Sequence, residues 1–136
     1  MLFRSDMWKA PGGLPHLQET LPLFLTEIAK GRLTFERLAE AGAAAPAKLL
    51  GVYPRKGAIL PGSDADIVAV DPSATWTFRE SDVLSKCGWS AFTGQEFTGQ
   101  VRLTMVRGAT VYRDGKVVAK PGSGQLVRPA WAGLAP

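Results

Sequence analysis

Few side chains in this sequence could perform hydrolytic or metal chemistry. His16 is the one histidine and Cys87 the one cysteine among 136 residues. A metal site built from several histidines is therefore excluded, because catalytic zinc sites use three protein ligands around an open position. A nucleophilic Cys–His pair would need both side chains together, and nothing in the sequence places them so. We therefore assign no catalytic residue and no metal ligand in this chain.

The remaining polar and aromatic candidates favour structural roles. His16 follows a proline just before a predicted helix start, which favours a surface or capping role over a site role. Asp64 and Asp66 could suggest a site for a hard cation. Their setting, Gly-Ser-Asp-Ala-Asp ahead of an apolar run, is more typical of a turn that leads into a strand. Four tryptophans without a common spacing favour core and interface positions over a ligand cage: Trp8, Trp76, Trp89 and Trp131.

The composition indicates a globular protein and excludes several classes of partner. Hydrophobic residues make up 46% of the chain and charged residues 21%, which argues against disorder. The net charge of +4 is scattered, so no basic surface for nucleic acid is indicated. No apolar run approaches the roughly 20 residues of a membrane span. With a single cysteine, no internal disulfide can form, and we expect a cytoplasmic protein.

The first third of the sequence has the apolar spacing of helices. The spacing predicts a helix over 21–30, with Thr20 as its cap and Gly31 as its end. Thr34 is the predicted cap of a second helix, whose inner face would carry Leu38 and Ala39. A third helical turn is predicted over 46–50, because proline suits the first helical position, and a glycine follows it.

Beyond Gly51 the pattern changes to that of strands. Asp114-Gly115 between apolar runs predicts a tight hairpin turn, because both residues tolerate positive φ angles. The less periodic stretch 75–99 predicts a long connection with a short helix near 80–86. The predicted strands are 57–60, 66–71, 101–107, 110–112 and 116–118.

Two strings of residues carry a resemblance to a known family. The first comprises 46–51 (Pro-Ala-Lys-Leu-Leu-Gly), 53–57 (Tyr-Pro-Arg-Lys-Gly) and 61–68 (Pro-Gly-Ser-Asp-Ala-Asp-Ile-Val). The second comprises Ser85-Lys86, Phe92-Thr93-Gly94, Gly99 and Val106-Arg107-Gly108. Together they resemble the C-terminal region of the cyclic amidohydrolases: dihydroorotase, allantoinase and dihydropyrimidinase (hydantoinase). The resemblance extends from about Asp6 to Lys120.

A loop near the start bears on which member is closest. Residues 9–13, Lys-Ala-Pro-Gly-Gly, resemble the loop after the last barrel strand in dihydroorotases, and allantoinases have a similar loop. Hydantoinases usually carry a Pro-Asn-Gly type of loop there instead. We therefore expect dihydroorotase, with allantoinase or dihydropyrimidinase as the alternatives. His16 departs from the family, whose members usually have glycine at that position.

The resemblance implies a mixed α/β fold made of two parts and a tail. Residues 1–51 would be the last helices of a (β/α)₈ amidohydrolase barrel, 52–120 strands of a small β-sandwich, and 121–136 an extended tail. Gly12 and Gly13 would contact the substrate, a small cyclic amide or ureide. The full-length enzyme would be a homo-oligomer and would hold zinc or another divalent metal. Asp6 is not expected to be the family's metal-binding aspartate, because it lacks the histidine that accompanies that residue.

The metal ligands of this family lie upstream of the matched segment, so the resemblance implies a C-terminal fragment that is inactive alone. Residues 1–5 match nothing in the family, and we hypothesise that the gene model is truncated inside an adapter remnant. The alternative from another class is a self-standing, non-catalytic module that binds a partner through a sheet edge or assists assembly. The length of the native chain would distinguish the two.

Overall fold

The computed structural model describes residues 13–129, in which helices precede a single antiparallel sheet. The helices are α1 (Thr20–Ala29), α2 (Phe35–Ala39) and α3 (Ala45–Leu49), with a π-helical segment over Glu40–Ala44 and a 3₁₀ turn over Glu80–Asp82. The strands are β1 (Ile67–Thr77), β2 (Glu96–Val106), β3 (Ala109–Arg113) and β4 (Lys116–Val117). The mixture of helix and strand expected from the sequence is confirmed.

Helix α1 forms where the apolar spacing predicts it and packs on β2. It ends at a C-cap, Lys30, and the next residue, Gly31, has a φ of +70°, as expected for a glycine stop. The prediction that Thr20 caps the helix is wrong. Glu19 occupies the cap position, and Thr20 lies inside the first turn, where its hydroxyl donates to the carbonyl of His16 at 2.8 Å.

The second and third predicted helices form one continuous helical segment. Thr34 caps α2 as predicted, because its side chain accepts a hydrogen bond from the N–H of Arg37 at 3.2 Å. The chain then passes through the π-helical segment directly into α3, so the third helix is not separate. Leu38 is half-buried and Ala39 is exposed, so only one of the two predicted inner residues is shielded. Gly51, with φ +65°, ends the segment.

The four strands lie in the order β1-β2-β3-β4, and each pair is antiparallel. An irregularity in the β1–β2 register lies between Asp71 and Thr75, which accommodates a proline that lacks a backbone donor. The hairpin at Asp114-Gly115 is confirmed. These residues have φ angles of +45° and +83°, and Tyr112 pairs with Val117 across the turn.

Two predictions for the sheet are wrong. Residues 57–60 form no strand but lie in the turns between α3 and β1. Gly57 instead lies against the helical segment, where an added Cβ would lie 2.7 Å from both the Ala43 carbonyl oxygen and the Ala47 Cβ, and Ile59 and Leu60 are exposed and pair with no strand. The predicted long connection over 75–99 is shorter than expected. Strand β1 continues to Thr77 and β2 begins at Glu96, so the connection covers only 78–95. Pairing of Trp76 with Phe97 supplies the cross-strand contact that extends both strands.

An aromatic cluster forms the centre of the core. Phe78 and Phe97 are fully buried, and their ring centroids lie 6.3 Å apart in an edge-to-face arrangement. The ring centroids of Trp76 and Phe97 lie 5.3 Å apart in a tilted arrangement, and the Trp76 indole N–H donates to the Gly99 carbonyl at 3.1 Å. Leu25 of α1 is also buried. The core therefore lies between the start of β2 and one helix.

Within residues 13–129, no helix is both long and apolar enough to cross a bilayer. The strands of this part of the chain form one sheet, and the second layer of a sandwich is not among them. The expected division at residues 51 and 120, and the assignment of the helices to a barrel, remain predictions.

Candidate functional site

Of the two predicted substrate contacts, Gly13 lies within the described residues. This residue is exposed and has a φ of +152°, a conformation that favours glycine. An added Cβ there would have no neighbour within 4 Å, so backbone conformation and not packing within this chain requires glycine. Gly12 lies outside the described residues.

A cavity of about 570 Å³ lies directly beyond Gly13. This volume falls within the range of roughly 300–1,000 Å³ that is common for ligand pockets. One wall is the segment 14–19, which leads into α1. The other is formed by Leu84 and Ser85, which lie in the connection between β1 and β2. Two segments that are distant in sequence therefore meet at the start of α1.

Gln18 joins these two segments. Its side-chain amide donates to the carbonyl of Asp82 at 2.7 Å, and its carbonyl oxygen accepts from the N–H of Leu84 at 2.9 Å. One amide thus holds two backbone groups that lie 64 and 66 residues away in the sequence. The role of Gln18 could not be predicted from the sequence, because a glutamine before a helix gives no signal of a partner so far along the chain.

The surface role that the sequence favours for His16 is confirmed, but its ring caps no backbone N–H of α1, whose cap is Glu19. His16 is exposed, and its Nδ1 lies 3.1 Å from the Thr20 hydroxyl. That hydroxyl already donates its single proton to the His16 carbonyl. With that proton engaged, the hydroxyl can accept from the ring at Nδ1.

Glu19 is an acidic residue that the sequence analysis did not single out. It is 2% exposed, and its Oε2 has no hydrogen-bond partner in the part of the chain that the structure describes. Its backbone carbonyl accepts from the N–H of Leu23 at 2.9 Å, so the residue is fixed at the start of α1. The positive end of a helix dipole favours a carboxylate at this place.

The aspartate pair takes part in ion pairs and forms no cation site. Lys56 pairs with both carboxylates, at 2.9 Å from Asp64 and in closer contact with Asp66. Arg55 adds a contact to Asp64 at 3.1 Å, and the backbone N–H of Arg107 donates to Asp66 at 2.8 Å. The predicted turn ahead of β1 is confirmed, and the pair fastens it to the turn after β2.

These contacts change the acidity of the groups. The hydrogen bond from Lys56 lowers the pKa of Asp64 below its ordinary value, and Arg55 adds to this. Burial acts to raise the pKa of Asp66, but hydrogen bonds from Lys56 and from the Arg107 N–H lower it overall. The pKa of Lys56 is raised, chiefly by its hydrogen bond to Asp66. All three groups are therefore held in their charged forms.

Residues 13–129 contain no cluster of metal ligands and no nucleophile paired with a base. No three His, Cys, Asp or Glu side chains converge there as metal ligands. Cys87 is exposed, and its Sγ lies 2.7 Å from the hydroxyl of Ser85, not beside His16. Trp76 belongs to the core and Trp89 is 38% exposed, so these two form no cage. Trp8 and Trp131 lie outside the described residues.

Comparison with known proteins identifies the family. The sequence model of the Amidohydrolase family matches residues 14–118, which include the cavity, the helices and the sheet. The chain belongs to the amidohydrolase family. Its sequence is 43% identical to L-hydantoinase of Paenarthrobacter aurescens over 124 residues, and 33% identical to D-phenylhydantoinase of Escherichia coli K12 over 126 residues. The matches cover 90% and 92% of this chain but 27% of each relative.

Solved structures give the same picture. L-hydantoinase (dihydropyrimidinase) from Arthrobacter aurescens matches with a TM-score of 0.83 at 43% identity, over 88% of this chain and 27% of that one. D-hydantoinase (dihydropyrimidinase) from Thermus sp. matches with a TM-score of 0.80 at 35% identity, over 88% and 26%. This amidohydrolase chain therefore has the fold of about a quarter of a hydantoinase chain.

The names of these relatives bear on the expected substrate. They support hydantoinase or dihydropyrimidinase, which the sequence analysis held as an alternative, in preference to dihydroorotase. The expectation of dihydroorotase depended on the five residues of the loop 9–13. The match to L-hydantoinase extends over about nine-tenths of the chain. A short glycine-rich loop is weaker evidence than agreement across the whole length.

Proposed function

We propose that this chain is the C-terminal part of a hydantoinase-type hydrolase that opens cyclic amide rings. The observation that carries the proposal is the 43% identity with L-hydantoinase of Paenarthrobacter aurescens over 90% of this chain and 27% of the relative. The substrate class would be a hydantoin or dihydropyrimidine ring, as in the names of the relatives. Dihydroorotate and allantoin become secondary candidates.

The contribution of this chain would be positioning and not bond cleavage. Gly13 offers exposed backbone N–H and C=O groups in a conformation that needs glycine, and such groups can bond the amide edge of a ring. The cavity beyond Gly13 would give the site a fixed wall. Gly12 and Gly13 remain the proposed substrate contacts.

The described residues do not fit the divalent metal that the resemblance implies. A hydrolytic metal requires three protein ligands and an open position, and residues 13–129 bring no such set together. We derive no catalytic step through a metal from this chain. Zinc or another divalent ion would be held by ligands elsewhere in a complete enzyme, which would assemble as a homo-oligomer.

A graft would test the proposed function. The segment of Paenarthrobacter aurescens L-hydantoinase that matches this chain would be replaced by the 124 matching residues of this chain, with Gly12 and Gly13 included, and hydantoin hydrolysis would be measured. The expected result is turnover within about a hundredfold of the parent, since positioning errors of about 1 Å cost up to that much. The unaltered parent and a deletion without any replacement segment serve as the upper and lower controls.

A folded graft that retains the parent's oligomeric state but gives no hydantoin turnover above the deletion control would contradict the proposal. Assays with dihydrouracil, dihydroorotate and allantoin in parallel would show whether the segment changes ring preference. Mass spectrometry of the native protein would test whether this segment belongs to a longer chain, against the alternative of a self-standing, non-catalytic module.

A further inference from the structure

The segment 14–19 joins the proposed substrate contact to α1 and has little packing of its own. It contains no helix or strand, only a turn that leads into α1. The N–H of Glu19 donates to the His16 carbonyl at 3.2 Å, which is a local bond within the turn. Leu14 is 43% exposed and Leu17 is 92% exposed, so burial among residues 13–129 does not fix the segment.

Gln18 supplies the anchor that packing does not. Its two hydrogen bonds, to the Asp82 carbonyl and from the Leu84 N–H, run in opposite senses to one stretch of backbone. Two such bonds fix the orientation of the segment as well as its distance. The stretch that receives them is itself braced, because the Asp82 carboxylate accepts from the N–H of Arg79 at 2.9 Å.

Gly13 lies on the same segment, five residues before Gln18. No atom lies within 4 Å of a Cβ added to Gly13, so its neighbours do not hold it in place. The chain between the two residues is stiffened by Pro15, whose ring fixes φ near about −65°. The position of the Gly13 backbone therefore depends on the anchor at Gln18.

From these contacts we infer that Gln18 is a positioning residue for the ring substrate. By fixing the segment 14–19 against the connection between β1 and β2, it holds the Gly13 backbone where that backbone can bond the amide edge of the ring. The inference rests on the proposed function, in which Gly12 and Gly13 contact the substrate. Gln18 itself would touch no reacting atom.

This role affects substrate binding more than bond cleavage. Without the anchor, the segment would have to be ordered when the ring binds, and that conformational cost would weaken binding. Once the ring is bound, the segment has the same conformation with or without the anchor. The rate of cleavage in the bound state should therefore change little.

Steady-state kinetics of the graft test the inference. Gln18→Met removes both hydrogen bonds but keeps a side chain of similar length. The KM for hydantoin should rise by about tenfold, because only a fraction of the unbound enzyme has the competent conformation. The kcat should stay within about twofold of that of the unaltered graft, whereas a loss of folded enzyme would lower kcat at unchanged KM.

The matched control is Gln95→Ala. Gln95 lies in the same connection between β1 and β2, and its backbone bonds to Phe78 and Phe92 remain after the change. Both KM and kcat should equal those of the unaltered graft. If Gln18→Met does not fold, Gln18→Glu takes its place, since it loses the donor to the Asp82 carbonyl and should also raise KM.

A double variant shows whether Gln18 acts through Gly13. Gly13→Val would already keep the ring from the backbone, so adding Gln18→Met should lower kcat/KM by no more than about a further twofold. Losses that multiply in the double variant would show that the two residues act independently, and would overturn the inference.

Unchanged KM in a folded Gln18→Met graft, or a fall in kcat alone, would also overturn it. Either result would leave the proposed function intact, because the unaltered graft would still hydrolyse hydantoin. A folded graft with no hydantoin turnover would contradict the proposed function, and this inference with it.

Discussion

Leu25 of α1 lies so close to Gly99 of β2 that no side chain fits between them. A Cβ added to Gly99 would lie 2.6 Å from the Leu25 Cβ, closer than real Cβ contacts occur. Leu25 is 3% exposed, and the φ of Gly99 is +96°. The contact sets the distance between the helix and the sheet, and so the position of the cavity at the start of α1.

The first prediction is that Gly99→Ala lowers the free energy of unfolding by about 3 kcal/mol, because overpacking adds to a strained backbone angle. Chemical denaturation of the isolated chain would measure it. The matched control is Gly62→Ala, where φ is +92° but no atom lies within 4 Å of the added Cβ. In the control, the free energy of unfolding should fall only by the cost of the strained backbone angle, about 1–2 kcal/mol. Equal losses in both variants would contradict the packing explanation.

The second prediction concerns the other link between α1 and β2. The hydroxyl of Thr26 donates to the Pro22 carbonyl at 2.9 Å and accepts from the N–H of Thr98 at 3.0 Å. Thr26→Val keeps the shape but leaves that N–H without an acceptor, so stability should fall by about 1–3 kcal/mol. Thr93→Val, at an exposed threonine, should change it by less than about 0.5 kcal/mol. A neutral Thr26→Val would show that the bond does not stabilise the interface.

The third prediction is a dependence of stability on acidity. The pKa values of Asp64 and Asp66 are lowered in the folded chain. Groups of this kind contribute stability above the pKa of the unfolded state, about 3.9, and lose it as the pH falls through the folded pKa. The pKa of Lys56 is raised in the folded chain, so its contribution to stability is present at neutral and acidic pH and is lost only as the pH rises into strong alkali.

Lys56→Met should therefore reduce the drop in melting temperature between about pH 7 and about pH 3. Part of the drop should remain, since the pKa of Asp71 is also lowered, chiefly by hydrogen bonds from Ser73. Lys86→Met removes an exposed lysine outside the cluster and should leave the drop unchanged. Thermal melts of the three proteins at both pH values would measure the effect, and identical drops would refute the assignment to Lys56.

The fourth prediction concerns the proposed substrate loop. In the graft, Gly13→Val should lower kcat/KM for hydantoin by about tenfold, or about 1.4 kcal/mol, since a side chain would keep the ring from the backbone. Gly124→Val is the control, because an added Cβ there meets no atom within 4 Å and φ is not positive. Unchanged kinetics in a folded Gly13→Val graft would remove Gly13 from the site.

The fifth prediction is that the 136-residue chain alone binds no stoichiometric zinc and turns over no dihydroorotate, allantoin or dihydrouracil. One histidine cannot supply the several ligands of a catalytic zinc site. Elemental analysis of the purified chain and ring-opening assays would measure both quantities. One equivalent of tightly bound zinc together with ring opening would refute the expectation that this chain is inactive alone.

Local features of the fold could be predicted from the sequence because their causes are local. The spacing of apolar residues predicted α1. Thr34 was correctly predicted as the cap of α2, because its hydroxyl reaches an N–H only three residues away. Asp114-Gly115 located a hairpin because few other residues tolerate two successive positive φ angles. The single histidine by itself excluded a multi-histidine metal site.

Features that depend on contacts between distant segments were decided only by the tertiary structure. Residues 57–60 have the composition of a strand, but no strand lies beside them to pair with, and Gly57 lies instead against Ala43 and Ala47. The cavity exists because Gln18 bonds to backbone groups more than 60 residues away, and composition carries no record of that pairing. Propensity acts over a few residues, whereas burial and hydrogen-bond partners depend on which surfaces meet, so the sequence alone located neither Glu19 nor the partners of Gln18.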